Sequence, residues 1–180
     1  MTAAQADLQP EFLEMPEGLR IDRPDVADGA ALWRIAKDSR TLDLNSSYSY
    51  LLWCRDFADT TVVVRDDSDG RPVGFVTAYL RPDRPRTLLV WQVAVDSAYR
   101  GQGLAARLLD GLTERVVRQH GVNGIETTIT PGNTASERLF LSYARRHGAT
   151  VDREVLFETG QFPDGPHDPE VLYRIGPLAA

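Results

Sequence analysis

A glycine-containing turn between an apolar strand and an amphipathic helix constrains this chain more than any other feature. Residues 90–95 are apolar except for Gln92, and Arg100, Gly101 and Gly103 follow shortly after them. Apolar residues then recur every three or four positions, at Leu104, Ala105, Leu108, Leu109, Leu112 and Val116. This spacing predicts a strand that leads through a tight turn into a helix with one buried face.

The turn has the chemistry of an anion site. The first backbone N–H groups of a helix lack intrahelical partners and lie at the positive end of the helix dipole. Gly101 and Gly103 lack the Cβ atoms that would hold a phosphate away, and glycine permits backbone angles that turn successive N–H groups inward. The stretch therefore indicates a ligand that carries a pyrophosphate.

Two phosphate-binding patterns fit these residues. Residues 101–106 match G-x-G-x-x-A, the dinucleotide fingerprint, and Glu126 lies near its acidic position. However, residues 97–100 separate the strand from the first glycine, and the unit lies past the middle of the chain, whereas a dinucleotide fold needs it near the start. The other pattern, R/Q-x-x-G-x-G/A, is matched by Arg100, Gly103 and Ala105.

The second pattern resembles the GCN5-related N-acetyltransferase superfamily. The resemblance implies acetyl-CoA as co-substrate, with its pyrophosphate held by the loop N–H groups. It also implies that the strand before the loop splays from its neighbour and binds the pantetheine arm through its backbone at Val93 and Val95. Asn133 and Ser136 are expected to bind the pantetheine or the substrate, although Asn133 is also a suitable helix cap. The expected coenzyme-binding residues are Val93, Val95, Arg100, Gly101, Gln102, Gly103, Leu104, Ala105, Asn133 and Ser136.

The rest of the chain predicts the elements of that superfamily in the same order. Strands are expected at residues 19–23, 61–65, 73–80, 87–95, 124–130, 150–157 and 171–175, with helices at 26–37, 48–57, from Leu104, and at 135–147. The fold class is α+β, with a central mixed, mostly antiparallel sheet, splayed at the coenzyme site, and helices on both faces. Residues 1–17 are expected to form a poorly ordered leader before one N-acetyltransferase domain at 18–178.

Composition limits the partners. A net charge of −6 at pH 7 argues against nucleic acid, because a phosphate backbone requires a basic face. No apolar run reaches the length of a membrane span, and the N-terminus lacks the order of a signal peptide, so we expect a cytoplasmic protein that binds no membrane.

The single cysteine, Cys54, excludes an internal disulfide and a cysteine-based zinc site, and we expect no metal. It lies in the apolar run 51–54 without a nearby histidine or lysine to lower its pKa. A structural thiol is therefore favoured over an acetyl-cysteine intermediate, and the acetyl group should pass directly to the acceptor in a ternary complex.

Five separated blocks narrow the resemblance. Residues 41–48, 91–95, 126–131, 133–136 and 167–170 together resemble the L-2,4-diaminobutyrate acetyltransferases of ectoine biosynthesis. Membership would imply transfer of the acetyl group of acetyl-CoA to the γ-amino group of L-2,4-diaminobutyrate, giving a precursor of the compatible solute ectoine in a bacterium under osmotic stress. The resemblance also suggests a homodimer, for which exposed strand edges would supply an interface.

The acceptor is a small diamino acid with two ammonium groups and one carboxylate, so its pocket needs an acidic side chain and neutral hydrogen-bonding groups. Asp43 would ordinarily be interpreted as a helix cap, but the resemblance favours a binding role. Trp91 is expected to form one wall. The expected substrate-binding residues are Asp43, Asn45, Ser46, Tyr48, Trp91, Glu126, His167 and Glu170.

The acceptor amine arrives protonated, so a general base is required. Glu126 and Glu170 are the candidates, and the choice between them stays open. The alternative for Glu126 is a solvent-facing strand residue, and for His167 and Glu170 an exposed polar loop.

The proton donor to the leaving thiolate is also open. Many superfamily members use a tyrosine seven residues after the asparagine that corresponds to Asn133, and here that position is Phe140. Tyr143 lies a turn further along the helix and is expected to pack in the core. The remaining candidates for the proton donor are water and Tyr48, which would approach from the acceptor side.

Two other functions remain open. The same fold can acetylate a different amine, such as ornithine, a polyamine or a protein N-terminus. The alternative from another class is a non-catalytic module that senses acyl-CoA, for which Phe140 is the only sequence hint.

Overall fold

The computed structural model describes residues 13–163, 165 and 167–178, so residues 1–12 of the expected leader lie outside the described part. Within that part, four α-helices are α1 (Gly29–Ser39), α2 (Ser47–Asp56), α3 (Leu104–His120) and α4 (Thr134–Arg146). The strands are β1 (Leu19–Asp22), β2 (Val62–Asp66), β3 (Pro72–Leu80), β4 (Thr87–Val95), β5 (Gly124–Ile129), β6 (Thr150–Phe157) and β7 (Glu170–Gly176).

The strands form one sheet in the order β1-β2-β3-β4-β5-β7-β6. Only β4 and β5 pair in parallel, and every other neighbouring pair is antiparallel. The predicted fold class and order of elements are therefore confirmed. The first predicted helix begins instead as a short 3₁₀ turn at Val26–Asp28, because the Asp25 carboxylate accepts a hydrogen bond from Ala27 N at 2.7 Å.

The sheet opens between its two parallel strands. The last pair between β4 and β5 is Val90 with Thr127. Beyond it, β4 continues along β3 as far as Val95, and β5 continues along β7 as far as Ile129. The two strands thus diverge like the arms of a V, and we call this opening the splay. At its base Trp91 is an extra residue in β4, since Val90 pairs with Ala78 and Gln92 with Thr77.

Helices cover both faces of the sheet. Alternate strand residues enter separate apolar clusters: Val76 and Val93 face α3 and α4, whereas Phe75 and Ala94 face α1 and α2. Phe140 and Tyr143 are buried in the first cluster, which confirms the core position expected of Tyr143. None of the helices in residues 13–163 and 167–178 is long and apolar enough to cross a membrane.

A buried ion pair connects β2 to the first helical turn. Both terminal nitrogens of Arg65 contact the Asp28 carboxylate, at 2.8 and 2.7 Å, and Arg65 Nε contacts Asp22 at 2.9 Å. The hydrogen bonds that Arg65 donates to the Asp28 carboxylate raise the pKa of Arg65 further above its usual range, so the guanidinium is always charged. Removal of the Asp28 charge would leave that cation poorly compensated in the interior.

We expect Asp28→Asn to lower the free energy of unfolding by about 3 kcal/mol, because it breaks a buried pair while keeping the side-chain shape. Asp67→Asn is the matched control, since it removes the exposed partner of Arg20, where both side chains are about half exposed. The control should lower the free energy of unfolding by at most about 0.5 kcal/mol. Urea denaturation measures both, and equal losses would contradict this account of Arg65.

Candidate active site

The glycine turn has the geometry of an anion site at the start of α3. Gly101 and Gly103 have φ values of +80° and +70°, which L side chains rarely adopt. A Cβ at Gly103 would lie 2.5 Å from Arg107 Nη1, whose guanidinium already donates to the Gln102 carbonyl at 2.8 Å. No side chain caps the start of α3, so the first N–H groups of this 17-residue helix remain available to a ligand.

The backbone of β4 faces the splay at the expected positions. Asp96 N donates to Val73 O on the β3 side at 2.8 Å, whereas Val95 O points away from β3 and accepts from Arg100 Nε at 3.2 Å. Because backbone direction alternates along a strand, the polar groups of Val93 point the same way as those of Val95. A strip of backbone donors and acceptors thus leads from the base of the splay to the glycine turn. The Leu104 side chain is buried and that of Ala105 half-buried, which leaves their backbone N–H groups for any contact with a ligand.

Three predicted substrate residues meet at the open end of the splay. His167 Nε2 lies 4.0 Å from the Asp43 carboxylate and 3.9 Å from the Glu170 carboxylate. The imidazole stacks on Phe162 with ring centroids 3.8 Å apart. Asp43 is 95% exposed, whereas the side chains of His167 and Glu170 are 25% and 17% exposed, so His167 lies in a loop but neither side chain is fully exposed. Glu170 is also the first residue of β7 rather than part of the preceding loop.

Asp43 lies in the connection between α1 and α2, and two buried residues hold that connection in place. Gln92 Nε2 donates to the Asp43 carbonyl at 2.9 Å, and the Tyr50 hydroxyl donates to Gln92 Oε1 at 3.0 Å. The N-cap of α2 is Ser46, so the helix-cap alternative for Asp43 is wrong. Sequence reasoning missed Gln92 and Tyr50, although Gln92 is the one polar residue in the run 88–95.

An aromatic cluster forms one side of the same region. The ring of Trp91 lies 6.1 Å from that of Trp53 in α2 and 6.5 Å from that of Tyr79 in β3. Trp91 nevertheless remains 52% exposed, so one of its faces is open to solvent or a ligand. A rigid aromatic surface of this kind can pack against the methylene chain of a small substrate.

Glu126 lies deeper on this face of the sheet and is only 1% exposed, so the solvent-facing alternative for it is wrong. Its carboxylate contacts three guanidinium groups: Arg81 at 2.9 Å, Arg84 at 3.1 Å and Arg174 at 3.3 Å. Glu126 is therefore the centre of a buried ion-pair network that joins the β3–β4 loop to β5 and β7.

The remaining predicted residues lie around this centre. Asn45 is hydrogen-bonded to the Tyr50 hydroxyl, and Ser46 Oγ lies 3.1 Å from Ser49 Oγ. Tyr48, in the first turn of α2, is exposed. Asn133 caps α4 by accepting a hydrogen bond from Ser136 N at 3.1 Å, which leaves its amide NH₂ group available for another partner.

Cys54 lies on the buried face of α2, and burial raises the pKa of its thiol to about 12. A thiol that stays protonated is a poor nucleophile, as expected of a structural cysteine. Among the described residues, no group of three histidine, cysteine, aspartate or glutamate side chains is arranged to hold a metal ion.

Comparison with known proteins agrees with this geometry. Residues 30–144 match the acetyltransferase (GNAT) family. The L-2,4-diaminobutyric acid acetyltransferase of Streptomyces avermitilis is 81% identical, over 99% of this chain and 99% of its own length. The protein of the same name from Marinococcus halophilus is 45% identical, over 90% of this chain and 92% of its own.

Solved structures give the same result. The diaminobutyrate acetyltransferase EctA from Paenibacillus lautus, in complex with its substrate L-2,4-diaminobutyric acid and coenzyme A, superposes with a TM-score of 0.83 at 42% identity. That match covers 90% of this chain and 96% of the other. The chain therefore belongs to the acetyltransferase (GNAT) family and, within it, to the L-2,4-diaminobutyric acid acetyltransferases.

Proposed function

We propose that this chain transfers the acetyl group of acetyl-CoA to the γ-amino group of L-2,4-diaminobutyrate, a step of ectoine biosynthesis. One observation carries the proposal: acidic groups flank the splay into which the glycine turn leads. Asp43 is anchored to β4 through Gln92, and Glu170 begins β7, the strand that continues beside β5. The Paenibacillus lautus relative, which binds both diaminobutyrate and coenzyme A, supports this assignment.

The donor side of the splay suits acetyl-CoA. The N–H groups of residues 101–105, together with Arg100, would hold the pyrophosphate, and the backbones of Val93 and Val95 would pair with the amides of the pantetheine arm. Asn133 and Ser136 would hold the arm from α4. Acetyl-CoA supplies an acetyl group activated as a thioester, and a backbone N–H near Val93 is proposed to polarise its oxygen.

The acceptor side suits a diamino acid. Asp43 and Glu170 provide negative charge for two ammonium groups, and Trp91 provides a wall for the short carbon chain. Asn45, Ser46 and Tyr48 supply neutral hydrogen-bonding groups next to Asp43, and His167 lies between the two carboxylates. Held in this way, the γ-amine would approach the thioester from the α1 and α2 face of the sheet.

Glu170 is the better placed of the two candidate bases. It is mostly buried, it has His167 as a close neighbour at 3.9 Å, and it lies at the open end of the splay. Both oxygens of Glu126 are instead engaged by arginines. We propose that Glu170 accepts the proton of the γ-ammonium and that His167 carries it toward solvent. Glu126 would instead influence the electrostatic potential at the base of the acceptor site.

The leaving thiolate needs a proton from elsewhere, because Phe140 is buried in the core and carries no hydroxyl. Water or the exposed Tyr48 is the proposed donor. Direct transfer in a ternary complex is favoured over a covalent route, since the Cys54 thiol is buried and its pKa is raised to about 12.

The assembly is proposed to be a cytoplasmic homodimer, with residues 1–17 preceding one domain at 18–178. Val155 and Phe157 support an interface, because they are about half exposed on the edge strand β6. Residues 13–17 contact the domain, since Met15 packs on the core and Glu14 O accepts from Arg107 Nε. Sedimentation velocity gives the mass in solution.

The activity is tested by product analysis with acetyl-CoA and a panel of amines. We expect thiol release with L-2,4-diaminobutyrate and a product acetylated on the γ-nitrogen, because the acidic cluster binds ammonium groups beside the splay. Ornithine, a polyamine and an N-terminal peptide should turn over at least about tenfold less efficiently, which corresponds to about 1.4 kcal/mol of discrimination. Tight coenzyme binding without turnover on any amine would instead indicate an acyl-CoA sensor.

The general base is tested by Glu170→Gln and Glu126→Gln side by side. Glu170→Gln should lower kcat by at least about 100-fold with little change in melting temperature, because it removes the proton acceptor from an otherwise intact site. Glu126→Gln should chiefly lower the melting temperature, because three arginines lose their shared carboxylate. If Glu126→Gln loses kcat without loss of stability while Glu170→Gln stays active, the two roles are reversed.

The coenzyme turn is tested by Gly103→Ala, which should raise the KM for acetyl-CoA about tenfold while the KM for diaminobutyrate stays constant. The new Cβ strains a residue with φ of +70° and displaces Arg107 from the turn. Gly70→Ala is the matched control, since it has φ of +73° in the β2–β3 hairpin and open space around the new Cβ. A rise in the KM for acetyl-CoA with both variants would show that strain alone is responsible.

A further inference from the structure

The β4 bulge turns two consecutive side chains toward α2. In a regular strand, neighbours such as Trp91 and Gln92 would point to opposite faces of the sheet. Here the extra residue at Trp91 changes this pattern, so that the Trp91 ring contacts Trp53 and the Gln92 amide contacts Tyr50, both from α2. Gln92 thereby reaches the acceptor side at the base of the splay.

The orientation of the Gln92 amide is fixed by its partners. The Asp43 carbonyl can only accept a hydrogen bond, so the NH₂ group of Gln92 faces it, at 2.9 Å. Gln92 Oε1 then faces Tyr50, whose hydroxyl donates at 3.0 Å. Gln92 is 5% exposed and Tyr50 is fully buried, so water does not compete for these bonds. Asn45 also hydrogen-bonds the Tyr50 hydroxyl, which gives the connection a second attachment to α2.

The segment that these bonds hold has little support of its own. Residues 40–46 lie between α1 and α2 without regular secondary structure, and the Asp43 side chain is almost fully exposed. The direction of the Asp43 carboxylate therefore depends on where its backbone is held. The hydrogen bond from Gln92 is made to the backbone carbonyl of Asp43 itself.

We propose that Gln92, oriented by Tyr50, is a positioning residue for the acceptor: it sets the distance between the Asp43 carboxylate and the base of the splay. Gln92 acts through Asp43, and the inference rests on the proposed acceptor site. Trp91 forms the proposed wall of that site, and Gln92 holds the backbone of Asp43. Because the two residues are consecutive, the bulge fixes the positions of both. The donor site depends on other groups, those of the glycine turn and of the β4 backbone.

Gln92→Met keeps the length of the side chain and removes both hydrogen bonds. We expect it to raise the KM for diaminobutyrate about tenfold, while kcat and the KM for acetyl-CoA stay within about twofold. Tyr50→Phe should also raise the KM for diaminobutyrate, but by less. This second variant tests the inference if Gln92→Met folds poorly. Thr77→Val is the matched control: Thr77 pairs with Gln92 in β3, and its buried hydroxyl has no partner in the described structure.

A double-mutant cycle separates positioning from general destabilisation. Asp43→Asn alone should raise the KM for diaminobutyrate, and Gln92→Met added to it should give little further rise, because both changes act on one group. Independent, multiplicative effects would overturn the inference, as would an unchanged KM in Gln92→Met and Tyr50→Phe. If Asp43→Asn raises the KM and Gln92→Met does not, the positioning role fails and the acceptor site stands. If Asp43→Asn has no effect, the acceptor site and the inference both fail.

Discussion

The separation of β4 from β5 is the constraint on which the rest of the site depends. A parallel pair that stops at Val90 and Thr127 leaves backbone N–H and C=O groups that must find partners elsewhere. Each strand stays extended because its other neighbour, β3 or β7, continues the ladder. Helices on both faces keep the sheet from closing the gap. The splay is thus lined with peptide groups, and a ligand that carries amides of its own can form the hydrogen bonds that the two strands do not form with each other.

The Trp91 bulge lies at the base of the splay, between the glycine turn and the residues that contact α2. On the side toward α3, the β4 backbone leads to the glycine turn. On the side toward α2, two consecutive side chains carry the aromatic wall and the attachment of the Asp43 segment. Because of this single irregularity, two consecutive side chains of β4 contact α2, while the backbone of the same strand continues to the glycine turn.

The sequence predicted the elements well because local patterns determine them. The bounds of β4 and β6 are as expected, and α4 begins where Asn133 provides a cap. The glycine turn could also be predicted from the sequence, since positive φ values favour glycine. Contacts across the fold were not: no local pattern indicates that Gln92 reaches Asp43, or that Arg81, Arg84 and Arg174 surround Glu126. Such contacts depend on register and on one bulge, neither of which leaves a periodic signal.

The carboxylates of Glu126, Asp43 and Glu170 differ in the charges that surround them. Glu126 lies on β5, and its three arginines come from the loop after β3 and from β7, so its charge is compensated within the protein. Asp43 and Glu170 lie at the open end, with His167 between them. A buried anion surrounded by cations is already compensated, whereas anions that share one neighbouring histidine leave room for a cation from outside. This imbalance suits the proposed substrate, which carries two ammonium groups.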